Sequence, residues 1–368
     1  MTTKARSQIV LFSILSSLGL VTAMWFNSQA VLTGGNYLAD GFTTPVDWVY
    51  SLDLLIGGVA GMAFVVLESR KIGFKWWPLL IAAGFVTAFA FVFPLFLAIR
   101  ARLLDNQFLA NGKFEKFVFD GHRVDVWVPN ELKPTTPVLV MHDGKNLFDP
   151  KESTFGATWG LLDALRHREV GGSRIHGRPL IIGVWGEFGE NRVLELGPED
   201  FITENPSALA NIPAEMLPKG GYSRMGNTYQ SLLAEKILPT VAERFGIELA
   251  LERTAIAGSS MGGLASLYAM VKYPQVWGTA LCYSTHWPIG GNALVDWFAS
   301  KLPMDADHRI WSDTGTIELD AAYPPFHERF VSKMADANFV GAVYPMTGHS
   351  ELWWAGRVEH PINWWLEA

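Results

Sequence analysis

Three long apolar stretches, separated by short polar segments, dominate the first hundred residues. They cover about residues 7–26, 48–67 and 76–99. The last is long enough to cross the ~30 Å hydrocarbon core of a bilayer. The first also has the pattern of a signal peptide, with Ser28-Gln29-Ala30 as a cleavage site. Because two further apolar stretches follow it, we expect a retained region of three transmembrane helices over residues 1–102.

Charged residues between these stretches predict how the region is oriented. The segment 27–49 carries acidic residues only, Asp40 and Asp47, whereas the basic residues around the spans are Lys4, Arg6, Arg70, Lys71 and Lys75. The positive-inside rule therefore places the N-terminus and the 68–75 loop in the cytoplasm. An odd number of spans then puts the rest of the chain on the non-cytoplasmic side of a bacterial inner membrane. Arg100 and Arg102, after the third span, oppose this orientation.

After a polar linker at 103–112, the pattern of apolar residues changes to short runs typical of buried strands. A hairpin is expected around Asp120-Gly121. The strands that follow it are predicted at Pro137–Met141, Leu180–Trp185, Thr254–Ala257, Thr279–Tyr283, Arg309–Ser312 and Phe339–Tyr344. Helical patterns lie between several of them, among them Ala293–Ser300 and Pro325–Ala337. This alternation predicts an α/β domain over residues 113–368 with a mainly parallel, doubly wound sheet.

One turn in this domain carries a nucleophile motif. Gly258-Ser259-Ser260-Met261-Gly262 fits G-x-S-x-G and lies between a predicted strand and a predicted helix. A serine on such a sharp turn has a strained backbone, and glycines at the flanking positions avoid steric collisions. The first N–H groups of the following helix point towards any oxyanion formed there. We therefore predict that Ser260 is a catalytic nucleophile.

Composition and charge exclude several other functions. The formal net charge is −7 and the sequence has no long basic run, which disfavours a nucleic-acid partner. Cys282 is the only cysteine, so no intrachain disulfide and no cysteine-based metal site is expected. The histidines show no metal-ligand spacing either. We predict neither a metal nor a cofactor, and the sequence leaves the oligomeric state open.

A serine nucleophile needs a base and an acid that orients the base. His349 follows the last predicted strand, which agrees with the order serine, acid, histidine found in α/β-hydrolases. The acid is expected in the loop after the preceding strand, where Glu318 and Asp320 remain alternatives and Glu318 is slightly favoured. Asp313 is expected to bond loop amides instead. His142 and His286 also follow strands, and we expect them to be structural.

The domain resembles the putative-esterase family of α/β-hydrolases, which includes esterase D, enterochelin esterases, feruloyl esterases and mycolyltransferases. The segments that carry this resemblance are His142–Phe148, Asn191-Arg192, Glu195–Pro198, Gly258–Leu264, Lys272–Gly278, Asp313–Thr316, Leu319–Tyr323 and Gly348-His349. The resemblance implies an α/β-hydrolase fold and an oxyanion hole formed by the backbone N–H groups of Met261 and Lys145.

The N-terminal region resembles an uncharacterised family of three-span bacterial membrane proteins. This resemblance rests on Ser51–Ile56, Glu68–Lys71 and Pro94–Arg100, and it implies no activity.

Taken together, these patterns predict a membrane-anchored serine esterase that acts on a small-molecule, lipid or sugar ester. An acyltransferase, with a sugar or lipid hydroxyl in place of water, is the alternative, because it would use the same triad. A non-catalytic binding module at the membrane is a third hypothesis.

Overall fold

The computed structural model describes residues 3–109, 112–170, 177–186, 190–207, 225–334 and 338–367. The chain divides into two compact units, Met1–Ala110 and Asn111–Ala368.

The N-terminal unit is entirely helical in its described part. Its helices are α1 (Thr3–Leu32), a single turn α2 (Tyr37–Asp40), α3 (Pro45–Ile72), α4 (Trp77–Val86) and α5 (Phe89–Leu109). Thr44 begins α3 with a capping box, in which its hydroxyl accepts from the Asp47 N–H and the Asp47 carboxylate accepts from the Thr44 N–H. Helix α5 continues through most of the predicted linker at 103–112.

The prediction of three transmembrane helices is wrong in its third member. Among the described residues, two helices are long and apolar enough to cross a membrane, Ala5–Leu32 and Pro45–Arg70. The apolar stretch 76–99 is divided between α4 and α5, which are separated at Thr87 and Ala88. The Thr87 N–H and hydroxyl both donate to the Ala83 carbonyl oxygen, at 2.8 and 2.7 Å, and this closes α4 after ten residues. Hydropathy alone could not reveal this break, because both sides of it are apolar.

The C-terminal unit is built on one mixed sheet of eight strands. The strands are β1 (Gly112–Phe119), β2 (His122–Pro129), β3 (Val138–Met141), β4 (Leu180–Val184), β5 (Thr254–Ser259), β6 (Thr279–Tyr283), β7 (Arg309–Thr314) and β8 (Phe339–Val343). Their order is β1-β2-β4-β3-β5-β6-β7-β8. Strands β1 and β2 form the predicted hairpin, β2 pairs antiparallel with β4, and all the other neighbours are parallel. The sheet confirms the predicted α/β-hydrolase fold.

Helices cover this sheet and bury its apolar strands. They are α6 (Leu161–Val170), α7 (Glu190–Leu196), α8 (Glu199–Glu204), α9 (Gly226–Ser231), α10 (Leu238–Phe245), α11 (Met261–Lys272), α12 (Gly291–Lys301), α13 (Pro324–Lys333), α14 (Glu351–Ala355) and α15 (Glu359–Leu366). Every residue of β3, β4, β5 and β6 is buried, as expected for central parallel strands covered on both faces. The loops after β3, β5, β6, β7 and β8 leave the sheet at one edge, because these strands are parallel.

Candidate active site

Ser260 lies alone in the turn between β5 and α11. Its backbone has φ 56° and ψ −120°, a conformation that residues with side chains seldom adopt. The turn is held on both sides, because the Ser260 N–H donates to the Tyr283 carbonyl oxygen (2.9 Å) and the Ser260 carbonyl oxygen accepts from the His286 N–H (3.1 Å). A Cβ atom on Gly258 would lie 2.8 Å from the Gly262 carbonyl group, so glycine is required there. The local geometry matches the predicted nucleophile turn.

His349 and Asp320 form a hydrogen-bonded pair beyond the carboxyl ends of β7 and β8. His349 Nδ1 lies 2.6 Å from Asp320 Oδ1. The Asp320 side chain is fully buried, whereas 12 % of the His349 side chain is exposed. Burial raises the pKa of the Asp320 carboxyl, but the hydrogen bonds from His349 and Ser284 outweigh it and hold the pKa below its ordinary value. Asp320 is therefore an ionised acceptor that fixes the orientation of the imidazole.

Two further groups hold the Asp320 carboxylate in place. Its Oδ2 accepts from the Ser284 hydroxyl (2.6 Å) and from the Gly315 N–H (2.8 Å). Ser284 Oγ in turn accepts from the Trp354 indole (3.1 Å) and from the Arg357 guanidinium (2.6 Å).

A buried ion pair lies behind this arrangement. Arg357 Nη2 is 2.9 Å from Asp313 Oδ1, and both side chains are almost completely buried. Asp313 also accepts from the Ser284 N–H at 3.3 Å, which is the kind of contact expected for it from the sequence. Removing one partner of such a pair would leave an uncompensated buried charge. Because Asp313 and Arg357 both contact Ser284, the pair also holds Ser284 in place.

Glu318, the other expected acid, contacts the main chain of His349 and not its imidazole. Its Oε2 accepts from the His349 N–H (3.0 Å), and its Oε1 accepts from the Trp353 indole (3.3 Å). Its backbone has φ 56°, which turns the side chain towards Gly348. A Cβ atom on Gly348 would lie 2.1 Å from Glu318 Oε2. Of the two alternatives, the structure brings Asp320 to the imidazole.

The expected oxyanion loop packs directly against the nucleophile turn. A short 3₁₀ turn at Gly144–Asn146 contains Lys145, and a Cβ atom on Gly262 would lie 3.3 Å from the His142 Cβ. Met261 is the first residue of α11, where a backbone N–H has no acceptor within its own helix. The two expected oxyanion donors thus belong to adjoining segments.

Charged side chains brace the oxyanion loop. Asp143, with φ 54°, forms a two-pronged ion pair with Arg192, at 2.7 Å for each contact. Asn146 Nδ2 donates to Glu351 Oε1 at 2.8 Å, which joins this loop to the segment that follows His349. No group of three or more His, Cys, Asp or Glu side chains that could hold a metal ion occurs within the described ranges.

The two other histidines that follow strands are buried and neutral. Burial lowers the pKa of His142 to about 4. Its Nδ1 lies 2.9 Å from the Tyr229 hydroxyl, so it has a structural partner. Burial, with the nearby His349 and Arg192, lowers the pKa of His286 to about 4 as well.

Tyr323 is a site residue that the sequence did not single out. It is fully buried, its ring packs edge-on against the His349 ring with the ring centroids 5.5 Å apart, and its hydroxyl oxygen lies 2.5 Å from His286 Nδ1. Its signals in the sequence were its position, three residues after Asp320, and its place at the end of Leu319–Tyr323, one of the segments that carry the family resemblance.

Comparisons with known proteins agree with this architecture. Residues 217–357 match a family described as "Putative esterase", and residues 10–102 match a family of unknown function, DUF2834. No curated protein matches the chain.

Several solved structures are similar to the chain. An enterobactin and salmochelin hydrolase is 20 % identical, with a TM-score of 0.46 over 70 % of this chain and 96 % of its own. A ferulic acid esterase is 14 % identical, with a TM-score of 0.46 over 70 % and 98 %. The enterochelin esterase of Shigella flexneri is 16 % identical, with a TM-score of 0.49, and the similarity covers 70 % of this chain and 59 % of that one.

The two family matches confirm the resemblances recognised in the sequence. The part of the chain at 217–357 is accordingly similar to the putative-esterase family, and the part at 10–102 is similar to the DUF2834 family.

Proposed function

We propose that the C-terminal unit is a serine esterase with Ser260, His349 and Asp320 as its triad. Ser260 Oγ attacks the ester carbonyl, and His349 takes the proton and passes it to the leaving alkoxide. Asp320 holds the imidazole in the required tautomer and stabilises the imidazolium. A water molecule then releases the acyl group. The observation that carries this proposal is the His349–Asp320 pair at the same sheet edge as the strained turn of Ser260.

The oxyanion formed in each step is assigned to two backbone donors, the N–H groups of Met261 and Lys145. Their segments are in contact through Gly262 and His142, which supports this assignment. Loss of such a donor typically reduces kcat by about 10²–10³-fold.

Labelling with a fluorophosphonate tests the nucleophile. The full-length chain in detergent should be labelled at Ser260, and the Ser260→Ala variant should lose both the label and ester hydrolysis. The Ser259→Ala variant is a matched control, because it changes the neighbouring serine and leaves the nucleophile intact. A folded chain that is not labelled would contradict the proposal. Product analysis with and without sugar acceptors then distinguishes hydrolysis from acyl transfer.

We also propose that α1 and α3 anchor the chain in a membrane. Large apolar side chains along both helices are exposed, for example Leu18 (59 %), Phe26 (67 %), Leu54 (68 %) and Leu55 (58 %). An exposed apolar surface of this extent is unfavourable in water and suits lipid. Membrane lipid is therefore one proposed partner, and a small-molecule ester is the other. The full-length chain should stay in the membrane fraction after alkaline carbonate extraction, and release by carbonate would contradict the anchor.

The orientation of this anchor depends on how α5 runs. Asn27 Nδ2 lies 3.5 Å from the Thr87 carbonyl oxygen, and Ser16 Oγ lies 3.0 Å from that of Phe91. As the chain advances from Thr87 to Phe91, its partners in α1 move back towards the N-terminus. Helix α5 is thus antiparallel to α1.

The contacts with α3 agree with this direction. Phe64 packs against Phe93 at 6.1 Å, and Glu68 pairs with Arg100 at 2.7 Å, so α5 is parallel to α3. Helix α4 runs the opposite way, because Arg70 lies over the Trp77 ring whereas the later Gly84 faces the earlier Met62. Together, α4 and α5 make a hairpin that begins and ends near the same end of α3. The ten residues of α4 reach only about 15 Å.

These directions change the predicted side of the C-terminal unit. The outward placement followed from an odd number of spans, and that premise no longer holds. The hairpin returns the chain to the end of the N-terminal unit that holds Arg70 and Arg100, and the acidic segment 27–49 is at the other end. We propose that the basic end is cytoplasmic and that the chain leaves the N-terminal unit there.

A further inference from the structure

Arg357 is a buried arginine that contacts loops next to both the acid and the base of the candidate triad. Its side chain is only 2 % exposed. Its Nη2 donates to Ser284 Oγ at 2.6 Å, and its Nη1 donates to Thr347 Oγ1 at 2.8 Å. Ser284 lies in the loop after β6, and Thr347 lies in the loop after β8, two residues before His349. One guanidinium group therefore joins two of the loops that leave the sheet at the candidate site.

Hydrogen-bond accounting fixes the direction of the contacts between Arg357 and the acid. The Arg357 guanidinium and the Trp354 indole can only donate, so Ser284 Oγ accepts from both of them. The single proton of the Ser284 hydroxyl is then donated to Asp320 Oδ2, at 2.6 Å. Arg357 Nη2 itself lies 3.9 Å from Asp320 Oδ2. The guanidinium thus acts on the acid through Ser284 and not through a direct hydrogen bond.

A second set of contacts runs from Arg357 towards the base. Thr347, which accepts from Nη1, also binds the loop that carries the acid. The Thr347 carbonyl oxygen accepts from the N–H groups of Thr316 and Ile317, at 2.9 and 3.2 Å. The segment that leads to His349 is therefore joined to the segment that leads to the acid, and Arg357 is hydrogen-bonded to this junction.

The charge of Arg357 is compensated within the same cluster. Its Nη2 lies 2.9 Å from Asp313 Oδ1, and the Asp313 side chain is completely buried. Because Asp313 belongs to β7, this ion pair anchors the guanidinium to a strand of the sheet. A planar guanidinium donates in several fixed directions at once, whereas a lysine ammonium is a single charged point on a flexible stem. An arginine is therefore suited to hold the three segments at defined distances.

We propose that Arg357 is a positioning residue that keeps the acid and the base of the triad in register. It acts on Asp320 through Ser284 and on His349 through Thr347. This inference rests on the proposed esterase function. A displacement of about 1 Å between catalytic groups can lower a rate by about 10²-fold, so small shifts of these two loops are sufficient to change kcat.

Replacing the ion pair as a whole separates positioning from folding. Removal of Arg357 alone would leave Asp313 as an unpaired buried charge, whereas removal of both charges is often neutral for stability. The full-length double variant Asp313→Asn/Arg357→Met, in detergent, should therefore unfold near the temperature of the unaltered chain. Its kcat for a nitrophenyl ester should fall by about 10–100-fold and its KM should change by less than about threefold, because the base serves both half-reactions. Asp313→Asn alone should lose less kcat, since Arg357 keeps both of its donors.

Arg309→Met is the matched control for loss of an arginine from this unit. Arg309 is a partly buried residue of β7, and it donates to the carbonyl oxygens of Trp364 and Trp365 in α15, at 3.0 and 3.2 Å. Its loss should lower the unfolding temperature without lowering kcat. A kcat defect as large as that of the double variant would overturn the inference, because the rate would then follow stability alone.

Two further variants test the routes from Arg357 to the triad, and they do so even if the double variant does not fold. Ser284→Ala removes the donor to Asp320, and Thr347→Val removes the acceptor of Nη1, while the ion pair with Asp313 stays intact. Each should lower kcat by about 3–10-fold. Added to the double variant, Ser284→Ala should lower kcat by less than about a further twofold, because the same route is already lost. Losses that multiply independently, or single variants with unchanged kcat, would overturn the inference.

A proton resonance reports on the base itself. The Nδ1–H of His349, 2.6 Å from Asp320 Oδ1, should give a strongly deshielded signal that is absent from the His349→Gln variant. This signal should shift or broaden in the double variant and stay unchanged in Arg309→Met. An unchanged signal or an unchanged kcat in the folded double variant would overturn the role of Arg357 and leave the esterase in place. If the unaltered, folded chain shows neither fluorophosphonate labelling nor turnover, the esterase proposal falls, and the positioning role falls with it.

Discussion

Two carboxylates on one short loop have different partners in this site. Asp320 accepts from the imidazole of His349 and is fully buried, whereas Glu318 accepts from the main chain of the same residue. Asp320 therefore acts on the tautomer and charge of His349, and Glu318 acts on the position of its backbone. The two roles predict unequal effects of neutralising each residue.

The Asp320→Asn variant should lower kcat by about 10³–10⁴-fold, because an amide would favour the wrong imidazole tautomer and could not stabilise the imidazolium. The Glu318→Gln variant should lower it by less than about tenfold, since an amide oxygen can still accept from the His349 N–H. Steady-state hydrolysis of a nitrophenyl ester measures both. Equal losses in the two variants would contradict the assignment of the acid.

Glu351 is a buried carboxyl group, and one of its two oxygens has no hydrogen-bond partner among the described residues. Its Oε1 accepts from Asn146, and no described residue donates to its Oε2. Burial raises the pKa of Glu351 above its ordinary value. The folded protein thus holds this proton more tightly than the unfolded chain does.

This raised pKa has a defined consequence for stability. The contribution of protonated Glu351 to the stability of the fold is fully present below the pKa that Glu351 has in the unfolded chain. This contribution is lost as the pH rises through the pKa that Glu351 has in the folded protein. Residue 351 cannot titrate in the Glu351→Gln variant. The unfolding temperature of the variant minus that of the unaltered chain, measured at the same pH, should therefore increase from pH 5 to pH 8. Differential scanning fluorimetry across this range measures the difference. A difference that shrinks with rising pH would show that Glu351 is not held in its protonated form.

The turn between β5 and α11 is the element that presents Ser260, the proposed nucleophile. Two glycines flank it, Gly258 in β5 and Gly262 in α11, and a side chain on Gly258 would collide with the Gly262 backbone. Ser260, between them, takes the strained conformation. Such strain persists only where neighbouring contacts enforce it, here the hydrogen bonds to Tyr283 and His286. The turn should therefore be sensitive to one added methyl group.

A Gly258→Ala substitution should lower hydrolysis far more than it lowers stability. Its Cβ would lie 2.8 Å from the Gly262 backbone, so the turn must shift and Ser260 with it. We expect a loss of about 1–3 kcal/mol in the free energy of unfolding, from overpacking. The control is Gly356→Ala, where the nearest atom is 3.4 Å from the added carbon and φ is −69°. Unchanged activity in Gly258→Ala would contradict this account of the turn.

The whole molecule combines an apolar helical unit with an α/β-hydrolase unit, and its arrangement in a membrane follows from helix directions. In the proposed arrangement the stretch 76–99 is a returning hairpin, so the number of complete crossings is even. An even number leaves the N-terminus and the exit from α5 on one side, where the basic residues are also found. The charges of Arg100 and Arg102, which opposed the predicted orientation, agree with this one.

Reporter fusions in a bacterial host test this arrangement. Green fluorescent protein fused after residue 368 should fluoresce, and alkaline phosphatase at the same position should be inactive, because it needs an oxidising compartment. Alkaline phosphatase inserted between Gly34 and Gly35 should be active. An active phosphatase after residue 368 would restore the outward placement and overturn the hairpin.

Much of this architecture could be predicted from the sequence, and the failures have physical causes. The sheet, the Ser260 turn and the position of His349 follow from local patterns, because strand periodicity and glycine spacing are local properties. The choice between Glu318 and Asp320 depended on a positive φ at Glu318, which no pattern of residue types reveals. The break at Thr87 and the packing of Tyr323 against His349 depended on contacts between distant segments. Helices α7 and α8, between residues 190 and 204, are not among the elements predicted from the sequence.

The network behind Asp320 also bears on protein synthesis. The proposed nucleophile and its strand are translated first, but Ser284 is held by Trp354 and Arg357, which are translated later. A nascent chain that has passed Ser260 but not Arg357 has its serine in place and its acid unsupported. Esterase activity is therefore expected only after the segment containing Arg357 has left the ribosomal exit tunnel. Delayed assembly of this kind would keep an unfinished chain from hydrolysing esters.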